Sequence, residues 1–221
     1  MSLVVAIDGP AGVGKSTVAR RLAERLGIPY LNTGAMYRAL ALAVLRAGID
    51  PDDRARAVEV ALAADVVLQP RDNGEVAILL SGEDVGGALY TPAVGAASSR
   101  LAAYSEVRRR MVELQRVCGR RGGGVLEGRD IGTVVFPETP HKFFVTARPD
   151  VRHQRRWRQL RDSGKEVTLE TVAAEMASRD RRDAEREDSP LTLGEGYREV
   201  DTSDVSIDQV VDLLVAAVQP R

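Results

Sequence analysis

The chain has 221 residues, 44% of them hydrophobic, which suffices for the core of one domain or of one domain with insertions. Its formal net charge of −1 gives no global field for nucleic acid or a membrane surface, and its one cysteine, Cys118, excludes a disulfide framework and a multi-cysteine zinc site. The two histidines, His141 and His153, stand far apart in sequence, no apolar run reaches a membrane-spanning ~18 residues, and the first strand-like run starts too early for a signal peptide, so the expectation is a soluble cytoplasmic protein.

In chain order, Leu3–Ile7 is a short apolar run of the kind that forms a buried parallel strand. Gly9, Pro10, Ala11, Gly12, Val13, Gly14, Lys15 and Ser16 follow with the spacing G-x-x-x-x-G-K-[ST], a phosphate-binding loop, and Thr17 continues into a helix over 15–26. Glycines let such a loop turn several N–H groups toward an anion, and the helix adds its positive end. Lys15 is placed to reach the β- and γ-phosphates of a triphosphate, and the Ser16 hydroxyl to sit on Mg²⁺. The chain carries 28 arginines and three lysines, so a lone arginine means little here, while a lysine at this position means more.

Tyr30–Leu31 reads as a second strand, followed by helices over 34–48 and 52–64. Thr33 is a candidate N-cap, with Arg38 one turn beyond it. Residues 65–90 depart from this alternation: Asp65–Gln69, Glu75–Leu80 and Glu83–Val85 are strand-like, with Asn73-Gly74 as a hairpin signal, which reads as a small antiparallel insert or a surface hairpin without catalytic role. A helix is expected over 97–119, then a strand at Val125–Leu126. Gly128-Arg129-Asp130 follows that strand, where open α/β sheets bind ligands; an internal Arg–Asp pair is the alternative reading.

Lys142–Thr146 and Arg198–Val200 complete the strands. Between them lie helices over 150–163 and 168–187, joined by the charged turn Asp162–Lys165. The first is basic, with Arg156 among five arginines, and suits a lid, a solvated face or an RNA contact. In the second, Arg179, Asp183 and Arg186 at i, i+4 and i+7 share a helix face that suits either a site or a solvent-facing salt-bridge array. Ser206 and Gln209 form a capping-box signature ahead of a last helix over 206–218. Strands alternating with helices predict an α/β fold, a three-layer P-loop architecture with a five-stranded parallel sheet.

The stretches Ile7–Thr17, Thr33–Arg38, Glu127–Pro137 and Arg179–Arg186 with Pro190-Leu191 together resemble the bacterial cytidylate kinases, a family of nucleoside monophosphate kinases, over nearly the whole chain. The loop at Gly9 is common to many enzymes; the run from Gly128 to Pro137 is far more specific. The resemblance implies ATP on Gly9–Thr17 with Mg²⁺ at Ser16, and CMP or dCMP in a facing pocket. It implies that Thr33, Ser99, Arg108 and Asp130 read cytosine, and that Arg38 and Arg129 hold the monophosphate. It places Arg179 and Asp183 at the sugar, Arg186 near the phosphates and Arg156 in a lid. Lys15, Arg129, Arg156 and Arg186 are the expected catalytic residues.

It further implies a single kinase domain with its core at about 1–34, 120–149 and 188–221, a monophosphate-binding region with the β insert at about 35–119, and a helical lid at about 150–187. Glu127 receives no firm role. The partners expected are ATP, CMP and dCMP, with no nucleic acid or membrane, and the chain is expected to be a monomer. A kinase for another monophosphate or small alcohol, and a P-loop ATPase switch, are the other readings of the same loop.

Overall fold

The computed structural model of the chain describes residues 2–71 and 76–219; the expected Asn73-Gly74 turn lies outside the described residues. Five parallel strands form the central sheet: β1 (Val4–Asp8), β2 (Tyr30–Asn32), β6 (Gly124–Glu127), β7 (His141–Thr146) and β8 (Tyr197–Asp201), in the order β2-β6-β1-β7-β8. The predicted parallel sheet is therefore present. β1 and β6 are its central pair, in register from Val4 opposite Gly124 to Ile7 opposite Glu127.

Alternation along these strands makes three layers. Val5, Ile7, Val125, Phe143 and Val145 face one core together with Val18 and Leu22 of α1 (Lys15–Leu26) and Val211 and Leu214 of α8 (Ile207–Val218). Ala6, Leu31 and Leu126 point the other way, against Val112 and the π-helical turn Ile131–Val135. Period-two alternation and fully covered faces are what a buried parallel sheet requires. Gly27, in the left-handed region at φ 64°, closes α1 by returning its N–H to Ala23 and Glu24.

Between β2 and β6 the chain builds a second core. It comprises α2 (Thr33–Arg46), α3 (Arg54–Ala63), α4 (Pro92–Leu101) and α5 (Ser105–Gly122), with the antiparallel strands β3 (Val66–Pro70), β4 (Val76–Leu80) and β5 (Glu83–Asp84) alongside. The antiparallel insert is thus borne out. Its placement explains its apolar residues: Val66, Ile78 and Leu80 are buried against α2 and α3.

Two expectations need correction. The single helix over 97–119 is two helices, α4 and α5, broken at Ala102–Tyr104. Thr91 accepts from Val94 N and Pro92 opens α4, a start signal that the reading passed over. No glycine or proline marks the break itself. Tertiary contacts hold it: Tyr104 donates to the Pro51 carbonyl at 2.9 Å, and Arg108 donates to the Ala102 carbonyl at 3.2 Å. The second correction concerns Thr33. Asn32 is the N-cap of α2, accepting from Ala35 N at 3.0 Å, and Thr33 is the first helical residue.

A third, smaller apolar cluster, Leu160, Val172 and Met176, joins α6 (Pro149–Asp162) to α7 (Leu169–Glu185). Ala11 packs against the same cluster, so this helical pair seats on the loop after β1. Arg186 stands just past the end of α7 with extended backbone, so the i, i+4, i+7 face ends one residue beyond the helix.

Candidate active site

The carboxyl ends of β1 and β6 lie side by side, and the two chain segments leaving them form the floor of one cleft of about 490 Å³. The loop from β1 is held by its backbone. Gly9 has φ 145°, and a Cβ there would stand 2.0 Å from the Val145 carbonyl oxygen, so only glycine lets the loop leave β1 this close to β7. Gly14, at φ 93°, is the N-cap of α1 and contributes no side-chain cap, which leaves the first helical N–H groups free for an anion. Ala11, Gly12, Gly14, Lys15, Ser16 and Thr17 line the cleft. Gly9, Pro10 and Val13 support it from behind: Val13 is fully buried and its carbonyl accepts from Thr202, while the Pro10 carbonyl accepts from the Lys15 ammonium at 2.5 Å.

Glu127, at the end of β6, is buried and faces this loop. Its carboxylate accepts from the Ser16 hydroxyl at 2.9 Å and from the Tyr30 hydroxyl at 2.5 Å. Its main-chain oxygen accepts from the Thr33 hydroxyl at 2.6 Å. Sequence spacing assigns Glu127 no role, because only the strand register sets it opposite Ile7.

Three residues on, Asp130 forms a buried ion pair with Arg108 of α5 at 2.5 Å, with side chains only 3% and 7% exposed. Arg129 donates through Nε to Asp183 of α7 at 2.8 Å, and Arg186 and Arg179 stand 3.7 and 4.0 Å from the same carboxylate. Asp183 is thus the hub of three guanidinium groups. Burial works against its charge, but Arg129 and Arg179 outweigh it and hold the carboxyl below its usual range. Thr33, Arg38, Ser99 and Arg156 also line the cleft, so it brings together every sequence-predicted acceptor and lid residue.

Asp8 was not singled out from the sequence. Its fully buried carboxylate accepts from the Ile131 and Gly132 amides at 3.0 and 2.9 Å and from the Tyr197 hydroxyl at 2.5 Å. It ties the end of β1 to the segment carrying Arg129 and Asp130. Arg152 was noted only as part of a basic helix; it donates to the Ala11 carbonyl at 3.1 Å and to Asp180 at 2.5 Å, fastening the α6–α7 pair to the loop.

The charge balance of the cleft is opposite in kind to that of the chain. Eight basic side chains and three acidic ones line it. Burial, and then the repulsion of Arg129, holds the Lys15 ammonium well below its usual pKa. The same two causes bring Arg179 down to about 10. Such groups regain their charge preference when anions arrive, and several phosphates in a desolvated cleft meet that condition. Cradling backbone, clustered guanidiniums and a hydroxyl beside a carboxylate are the parts of phosphoryl transfer.

Fold and cleft together define a P-loop phosphotransferase. The cytidylate kinase family model matches residues 5–220. Relatives include a cytidylate kinase of Geobacter sulfurreducens, 44% identical over 99% of this chain and 94% of its own length. A cytidylate kinase of Syntrophotalea carbinolica is 46% identical over 99% of this chain and 93% of its own. An uncharacterized protein from Eubacterium ventriosum has the same fold, with a TM-score of 0.56 at 17% identity and full coverage of both chains. The chain belongs to the cytidylate kinase family.

Proposed function

We propose that the cleft divides between a donor site on the loop Gly9–Thr17 and an acceptor site reaching from Thr33 and Arg38 to Asp183. The protein is an ATP-dependent kinase of CMP and dCMP, giving ADP and CDP or dCDP. The observation that carries the division is the convergence of the Arg129–Asp183–Arg186 group and the Arg108–Asp130 pair on one cleft with the phosphate loop.

An acceptor phosphate is already a nucleophilic oxyanion, so positioning and charge stabilisation suffice and no general base is needed. Lys15 takes the charge that develops on the transferring group, with Arg129, Arg186 and the lid residue Arg156 sharing it. Arg38 and Arg129 hold the acceptor phosphate, and Arg179 and Asp183 border the sugar. At the base end, the Asp130 carboxylate accepts from the cytosine amine and the Arg108 guanidinium donates to the ring nitrogen, with Thr33 and Ser99 beside them.

Mg²⁺ is the metal proposed with ATP. The Ser16 hydroxyl and Glu127 carboxylate, 2.9 Å apart, form a hard-oxygen donor set that fits it. Among the described residues no group of three His, Cys, Asp or Glu side chains makes a metal cage, in keeping with a cation held chiefly through substrate phosphates. When bound, the ion neutralises developing phosphate charge.

The α6–α7 pair has a small apolar cluster of its own and the region between β2 and β6 a large one, joined to the sheet through the cluster of Ala6, Leu126 and Val112; these support the proposed partition into core, monophosphate-binding region with its insert, and lid. We propose that the chain acts as a monomer; among the described residues no helix is long and apolar enough to cross a membrane. We assign the enzyme to the cytoplasm. The test is ADP formation with CMP, dCMP, UMP, AMP or RNA offered separately. Cytidine monophosphates are expected to give the fastest turnover; RNA-dependent ADP release without CMP would favour an ATPase instead.

A further inference from the structure

Tyr37, on α2, is buried and borders the cleft. The Arg108 guanidinium lies 5.7 Å from its ring centroid. Its hydroxyl is shielded from solvent and has no hydrogen-bond partner. Arg108 Nε, Arg179 Nε and Arg186 Nη2 are orphaned in the same way, and all four residues line this one cleft. They supply half of the eight orphaned buried side-chain atoms found among the described residues. Folded proteins pair nearly all such atoms, so a concentration of them in one place signals partners that arrive with a ligand.

The guanidinium nitrogens need an anion or a ring acceptor. A phenol is different: it is neutral, and it either donates or accepts. Burial, with Asp130 opposing the relief from Arg108, pushes the Tyr37 hydroxyl up to about 12, so it stays protonated at neutral pH. Packing does not require it, because a phenylalanine ring would fill the same space and give Arg108 the same face.

We infer that Tyr37 is a further substrate-binding residue: its hydroxyl makes a direct hydrogen bond to the acceptor nucleotide beside the Arg108–Asp130 pair. The inference rests on the functional reading above.

The test is Tyr37→Phe, with CMP and ATP kinetics and thermal unfolding measured on the same preparations. Losing one buried hydrogen bond predicts a fall in kcat/KM for CMP of about 5- to 150-fold. The KM for ATP stays within about twofold, and the unfolding temperature of the free enzyme stays level or rises, because an unpaired buried hydroxyl has been removed. This opposition between stability and substrate use separates a ligand contact from a structural one. Tyr37→Leu, which also removes the ring, is expected to lower the unfolding temperature as well. Unchanged CMP kinetics in Tyr37→Phe, or a lower unfolding temperature with both substrates impaired alike, would overturn the inference. Wild-type protein that forms no ADP with CMP would instead overturn the functional reading, and the inference with it.

Discussion

The two proposed halves of the cleft, donor and acceptor, are built on different plans. The donor half is nine consecutive residues, Gly9 to Thr17, whose shape is set by backbone angles and whose binding groups are chiefly main-chain N–H groups. The acceptor half is side chains from α2, α4, α5, the segment after β6, and α7, held by ion pairs that cross between elements. A loop of this kind tolerates change around it as long as β1 and α1 remain. A pocket of paired charges does not, because its two tightest pairs, Arg108–Asp130 and Arg129–Asp183, each join residues of different elements.

The largest expected effect falls on the acceptor half. Asp130→Ala leaves the Arg108 guanidinium buried without its partner, and breaking such a pair costs about 3–5 kcal/mol of stability, measurable by denaturant unfolding. The same variant loses kcat/KM for CMP far more than for UMP, by about 5- to 150-fold per mismatched contact. Equal loss of both substrates would reduce Asp130 to a structural residue and weaken the proposed base reading.

Lys15→Ala in the donor half is expected to cut kcat by about 10²–10³-fold, while circular dichroism and the unfolding midpoint stay near wild type. It removes charge from the cleft without orphaning a carboxylate, since the hydrogen bond of Lys15 goes to the Pro10 carbonyl. Near-normal turnover in the folded variant would take phosphate contact away from Lys15.

Asp8 joins the two halves and carries a pH signature. Burial raises its pKa from 3.8 to about 6, against the hydrogen bonds it accepts. The folded state thus binds the proton more tightly than the unfolded state. The stability that protonation lends is fully present below pH 3.8 and is lost as pH rises to about 6. The stability difference between wild type and Asp8→Asn should therefore shift in favour of wild type as pH falls through this window, by an amount on the order of 3 kcal/mol. A flat difference across the window would show that Asp8 titrates alike in both states.

The smallest effect concerns the contact between α6 and the donor loop. Arg152→Met removes the hydrogen bond to the Ala11 carbonyl and the pair with Asp180, and should raise the KM for ATP by about 3- to 10-fold with little change for CMP. In wild type, adding both nucleotides should raise hydrogen-exchange protection across 150–187; unchanged protection would count against a lid there.

Legibility followed the same division. The loop, β1, α1 and the capped last helix were read correctly because each signal lies within a few consecutive residues. The roles proposed for the acceptor residues come through resemblance: strand position points Arg129 and Asp130 to the crevice but keeps an internal pair as the alternative, and spacing keeps Arg179, Asp183 and Arg186 open between a site and a solvent face. Glu127 and Asp8 carry no local signal of their roles because their partners are distant in sequence: Ser16 lies 111 residues from Glu127, and Gly132 lies 124 from Asp8.

The amino-acid sequence by itself determined the phosphate loop, since glycine φ angles and a strand–loop–helix order are local properties. It also determined the parallel sheet, through apolar strands alternating with helices. Tertiary structure decided the acceptor pocket, and the break between α4 and α5 shows why. In one continuous helix Ser99 and Arg108, nine positions apart at about 100° each, would project to opposite sides. The Tyr104 and Arg108 contacts that interrupt the helix at Ala102–Tyr104 turn both residues into the same cleft. No residue at the break signals it, because the bend is stabilised by groups that meet only once the chain is folded.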